Sequence, residues 1–394
     1  MRARFALLLI ALVSLAGLSL GCGSKFELPT ERRGIRTVPT DQSYQMVATW
    51  HGLDGIQDAL LTQGTGTQLF LLFNHGGSGA GARGEVKDYF LSKPTPVGHS
   101  MQGGLFNPVA ITAGSDGTGA LANRVYVLDR GDTLIAKTLF TFCDTCGINK
   151  TPVRRRYITD LTRYWRVREY GLLGGDSVST FSDTTLAYVN GIAADDEGSV
   201  YISGVADVLT AATEPRLFTR SFVFKIYKYR RGPRYPGVVP NDITMPGAAW
   251  HRDTTWAHND GTGIGYIRDA RGMAWNNVLP KGLYVADFGN SSGQKLSDTD
   301  TTGFFRYEQD GDGVGISGPK AITTDAAGFV YVLDTGNRRV LRFNPSGGYV
   351  QRVDIEPDDL GSPLLGPTGV AASDSIVYVA DHDRGEIVRY KRRK

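Results

Sequence analysis

A chain of 394 residues, 41% hydrophobic and 21% charged, carries enough apolar side chain for a large core, and its length alone allows two or three domains. With 43 basic against 40 acidic side chains and a net charge of +3, it has no overall field favouring polyanions or anionic membranes, so nucleic acid is not an expected partner. Fifty glycines stand well above the usual ~7%, as a fold of many tight turns requires.

Residues 1–21 place Arg2 and Arg4 before an apolar run from Phe5 to Leu20, the pattern of an export signal. Leu18-Ser19-Leu20-Gly21-Cys22 resembles a bacterial lipobox, although Ser19 stands where an aliphatic residue is usual. The resemblance implies that Cys22 becomes an acylated N-terminus. An ordinary cleaved signal and an uncleaved anchor are the alternatives, the second disfavoured because the run is shorter than the ~20 residues of a span. Acylation would hold the protein at a membrane, since each buried CH₂ is worth ~0.8 kcal/mol and two chains suffice. Gly23 and Ser24 follow, without the Asp that marks inner-membrane retention, so the expected address is the outer membrane. Residues 22–42 are polar, with Pro29 and Pro39, and read as a flexible tether with a reach of ~25 Å.

From residue 43 the chain reads as short strands. Ser43 to Trp50 is a strand with no unit of its own. Apolar runs recur at Leu69 to Asn74, Tyr126 to Asp129, Tyr201 to Gly204, Tyr284 to Asp287, Tyr331 to Asp334 and Tyr378 to Asp381, and the last three aspartates stand 47 residues apart twice over. The final unit has three strands only, Thr368 to Ala372, Ile376 to Ala380 and Glu386 to Tyr390. A ring closes when an N-terminal strand fills such a vacancy, which leaves no open edge.

An insertion at about 131–162 interrupts the second unit and holds Cys143 and Cys146, the cysteines left once Cys22 is lipidated. In an oxidising compartment a short disulfide is expected there. A redox pair would want a helix N-terminus, and zinc would want two more ligands. Arg163 to Tyr170 and Lys225 to Arg231 interleave cations with rings, but their period of two matches blade strands better than a single-strand nucleic-acid surface. Glu308-Gln309-Asp310-Gly311-Asp312-Gly313 resembles the start of a calcium loop, yet Pro319 or Ala321 falls where the bidentate Glu belongs, so a strand-to-strand turn in register with Asn344-Pro345-Ser346-Gly347-Gly348 is expected.

The clearest unit runs Gly318-Pro319-Lys320-Ala321-Ile322, then Val330-Tyr331-Val332-Leu333-Asp334-Thr335-Gly336-Asn337-Arg338-Arg339-Val340, then Asn344-Pro345-Ser346-Gly347-Gly348. It resembles the NHL repeat. The resemblance implies an all-β fold, a six-bladed β-propeller over residues 43–394 closed by the N-terminal strand. In such propellers the residue before the Gly or Ala of P-x-G looks toward the channel mouth. That slot gives Asp54, Val109, Asn190, Arg271, Lys320 and Thr368.

Related hydroxyglycine lyases carry zinc-binding His in these slots, and none of the six His here occupies one. Lactonase-like propellers hold a divalent ion with Glu, Asn and Asp. Asp54 and Asn190 could offer two oxygen ligands, but Arg271 and Lys320 oppose a cation. No G-x-S-x-G is present. No metal or cofactor is therefore expected. The recurring aspartates at 129, 287, 334 and 381 read as structural, because chemistry usually needs a group once. The function expected is non-catalytic binding or scaffolding at the envelope by a monomer whose partner is an envelope protein, a peptide or an anionic glycan. A lyase or lactonase using the channel ring is the alternative, and a redox role for Cys143 and Cys146 comes third.

Overall fold

The computed structural model describes residues 44–393 apart from 63–66, 77–83, 118–121, 132–133, 147–151, 164, 184, 212–217, 232–249, 298–302, 356–360 and 362, and leaves the side chains of 102–103, 134–163, 207–211, 218–220, 254–256 and 304 outside the description. Tyr44–Trp50 pairs antiparallel with Glu386–Arg392, from Tyr44 opposite Arg392 to Trp50 opposite Ile387. It completes a four-stranded sheet with Ile376–Asp381 and Pro367–Ala372, filling the vacancy at the C-terminal end. Trp50 is 2% exposed and packs its ring 5.8 Å from Tyr378 and 6.4 Å from Tyr89, so the closing strand also joins the last blade to the first.

Five more four-stranded sheets follow along the chain, with innermost strands Ile56–Leu61, Pro108–Gly114, Leu186–Ala194, Ala270–Asn276 and Pro319–Thr324. Each innermost strand contacts the next, and that of the sixth blade, Pro367–Ala372, contacts that of the first. The fold is a six-bladed β-propeller.

The second strand of each blade is buried on both faces, which is why it reads as a continuous apolar run. Tyr126, Tyr201, Tyr284, Tyr331 and Tyr378 recur in it, all fully buried. A buried hydroxyl needs a partner. Tyr331 donates to Asp325 Oδ2 at 2.9 Å, Tyr201 to Asp195 Oδ2 at 3.1 Å and Tyr126 to the Ser115 carbonyl at 3.0 Å.

In four blades the recurring aspartate closes this strand as a clamp. Asp334 accepts from Ser317 N at 2.8 Å, Asn337 Nδ2 at 2.8 Å and Arg339 Nε at 2.7 Å, so the carboxylate ties the approach to the blade to its central hairpin. Asp129, Asp287 and Asp381 accept the equivalent backbone N–H groups of Phe106, Arg268 and Leu365. Blade 3 has Gly204 at this position and does not turn there. Its second and third strands, Val200–Ala211 and Phe218–Arg231, run on as a long paired hairpin.

The insertion in blade 2 is a hairpin of its own, Leu134–Cys146 with Pro152–Arg163, set between the second and third strands of that blade. Arg166–Gly171, the third strand, alternates as expected, with Trp165, Val167 and Glu169 buried. Glu169 is neutralised by Arg124 and Arg231. Asp310 forms a turn, accepting from Asp312 N at 2.9 Å and Val314 N at 2.8 Å. This turn links blades 4 and 5, and does not correspond to the turn at 344–348 within blade 5.

Candidate functional site

Every innermost strand breaks register near its start. The breaks fall between Ile56 and Asp58, Pro108 and Ala110, Val189 and Gly191, Ala270 and Gly272, Pro319 and Ala321, and Pro367 and Gly369. A bulge re-aims the residue it holds. The six residues so held, Gln57, Val109, Asn190, Arg271, Lys320 and Thr368, all line a central cavity of about 870 Å³. The cavity is formed by all six innermost strands.

Five of the six expected slots are therefore where the repeat places them. In blade 1 the slot belongs to Gln57, and Asp54 is an exposed residue of the turn before the strand, outside the cavity lining. The first blade has no P-x-G, and Gly55 imitates its glycine one turn too early. Gly55 instead serves the turn, where its carbonyl accepts from Asn74 N at 2.7 Å.

Blades 3 and 4 present a wall whose polar groups are already paired. Arg130 donates through Nε to the Val189 carbonyl at 2.9 Å and through Nη2 to Asn190 Oδ1 at 3.1 Å. Asn190 donates to Asp269 Oδ1 at 2.8 Å, and Asp269 Oδ2 holds Arg271 at 2.8 Å. Arg271 also lies 3.5 Å over the Phe288 ring. Its charge is thus largely spent inside the protein.

Blades 5, 6 and 1 differ. Lys320 makes no ion pair or hydrogen bond among the described residues, and neither does the Gln57 amide. Thr368 Oγ1 is buried without a partner. Asp58 follows Gln57, at a position that is Ala110, Gly191, Gly272, Ala321 or Gly369 in the other blades. The position is small because the next blade passes close by. A Cβ at Gly191 would meet the Arg271 carbonyl at 2.7 Å, and one at Gly272 would meet Ala321 Cα at 2.6 Å.

In blade 1 a carboxyl crosses that gap. Asp58 accepts from Ala59 N at 2.8 Å and from Ile111 N of blade 2 at 3.2 Å, and no cation pairs with it among the described residues. Burial pushes it up to about 7, against the two backbone donors that favour its ionised form. Its signal in the sequence is a charged residue at a place the repeat keeps small, visible only once the strand is registered on Gln57.

At the other mouth, Asp195 and Asp325 shape turns, accepting from Ser199 N at 2.7 Å and Phe329 N at 2.9 Å. Among the described residues no group of three or more His, Cys, Asp or Glu could hold a metal ion. Cys22 and the side chains of Cys143 and Cys146 lie outside the described residues.

No family model matches the sequence, and no curated protein matches it. Among solved structures the chain is similar to the glutaminyl cyclase of Myxococcus xanthus, with 12% identity and a TM-score of 0.38 over 90% of this chain and 99% of that one. A likeness at that level carries no inference about activity.

Proposed function

We propose that the chain is an NHL-type propeller held at the bacterial envelope, at the outer membrane, by an acylated Cys22, and that it binds without catalysis an anionic group on a peptide, glycan or envelope protein. One observation carries the reading: the Lys320 ammonium lines the central cavity with no counter-charge among the described residues. An ammonium left open in a concave site favours an anion, and a partly desolvated charge-assisted contact contributes ~1.5 to 3 kcal/mol. Arg271 stands on the next blade but is held by Asp269, so it supports the field more than it grips a ligand.

The test compares purified wild type and Lys320→Met after incubation with the peptide and glycan fraction of an envelope extract. Bound species are identified by mass spectrometry. Anionic species should fall at least ~10-fold on the variant, in line with ~1.4 kcal/mol or more, with the melting temperature nearly unchanged. Identical bound sets would remove Lys320 from the account.

Asp58 supports a second reading, a lyase or lactonase, because a carboxyl near 7 can give or take a proton at neutral pH. Turnover of a lactone or hydroxyglycine substrate that is lost in Asp58→Asn would favour it.

A further inference from the structure

Four polar groups on three successive blades line one cavity, three of them without a partner and the fourth, Asp58, without a counter-charge among the described residues. Lys320 is on blade 5, Thr368 on blade 6, and Gln57 and Asp58 on blade 1. A buried hydroxyl without a partner and a partly buried charge without a counter-charge each cost free energy that a ligand can return. The facing wall offers little, because Arg130, Asn190, Asp269 and Arg271 satisfy one another. The open arc carries both signs, the ammonium at one end and the carboxyl at the other.

We propose that this arc binds a small zwitterion, an amino acid or a short peptide with free termini. The ligand carboxylate pairs with Lys320, its ammonium pairs with Asp58, and Thr368 and Gln57 hydrogen-bond the atoms between. The proposal rests on the cavity being an anion site and adds the second charge. A simple anion leaves the Asp58 carboxyl facing it, a simple cation meets Lys320, and a neutral sugar compensates neither. The cavity, at about 870 Å³, lies within the ~300 to 1,000 Å³ of small-molecule sites and is too small for a folded partner.

Among the described residues no side chain supplies the counter-charge to Asp58 from the elements packed on it. Blade 6 presents Gly369 beside it, blade 2 presents Ile111, and Leu72 stands opposite on the second strand of its own blade. His382, which follows the blade 6 clamp Asp381, is held by its Nδ1 on the Ile56 carbonyl at 2.8 Å.

The experiment is equilibrium dialysis of the purified full chain against a mixed dipeptide library in three forms: free, N-acetylated and C-amidated. Retained peptides are read by mass spectrometry. Wild type should retain free dipeptides at least ~10-fold better than either blocked form, the ratio expected when one charge-assisted contact is lost. Asp58→Asn should erase the preference over N-acetylated peptides and keep the preference over amides. Lys320→Met should do the reverse. A melting curve on each variant separates lost binding from lost fold. Equal retention of N-acetylated and free peptides overturns the zwitterion and leaves the anion site standing. Equal retention of all three forms, or of none, overturns both. Calorimetry of the best-retained dipeptide at pH 6, in two buffers of different ionisation enthalpy, gives an independent readout. An ammonium on Asp58 should release a proton from wild type and none from Asp58→Asn, and equal proton release from both would also overturn the assignment.

Discussion

Burial raises the Asp58 carboxyl to about 7 although two backbone N–H groups hold it, so near neutral pH it divides between two protonation states. Its folded value lies above the unfolded ~3.9, and the sign follows from linkage. The stability it contributes is fully present below about pH 4 and declines as pH rises toward 7, where the folded state must bury a charge. Wild type should therefore lose melting temperature relative to Asp58→Asn between about pH 4 and 7. Thermal melts across that range give the difference curve, in which contributions from other carboxyls cancel. A flat curve would mean that Asp58 stays ionised throughout. Arg271 and Lys320 show the converse lesson at this scale. Both are cations in equivalent slots, and the partners at Asp269 and Phe288 distinguish Arg271.

The strand Tyr44–Trp50 has two tasks, pairing the edge of Glu386–Arg392 and burying Trp50 between Tyr89 and Tyr378. Removing it exposes a blade edge and deletes a buried tryptophan, a loss of ~3 to 5 kcal/mol for the side chain alone. A chain starting at His51 should thus melt at least ~5 °C below one starting at Ser43, taking ~2 °C per kcal/mol in a domain of this size. Calorimetry of the two chains decides the matter, and equal melting would disprove the closure. The hairpin at 134–163 belongs to this scale too. A disulfide between Cys143 and Cys146 has to form within the strand Leu134–Cys146, whose pairing with Pro152–Arg163 shifts register on both sides of Thr145.

For the whole molecule, the proposed anchor makes one demand. Cells fed labelled palmitate should incorporate label into wild type and not into Cys22→Ala, and equal labelling would remove the lipid anchor. The propeller itself was legible in the chain because its signals are local and repeated. Apolar runs ending in aspartate, a period of 47 residues, and an orphan strand matched by a missing one are each set by a few neighbouring residues. The clamp at Asp334, built with Asn337 and Arg339 a few positions on, is of the same kind. The site was legible only in part. Five slot residues follow from the repeat, but which of them remain open depends on partners brought from other blades. Asn190 meets Asp269 across 79 residues, Arg130 meets Asn190 across 60, and Asp58 meets Ile111 across 53. Local pattern determined the blades, and ring closure alone decided which polar groups are already paired and which face the cavity unpaired, because a blade's inner edge is completed by its neighbours.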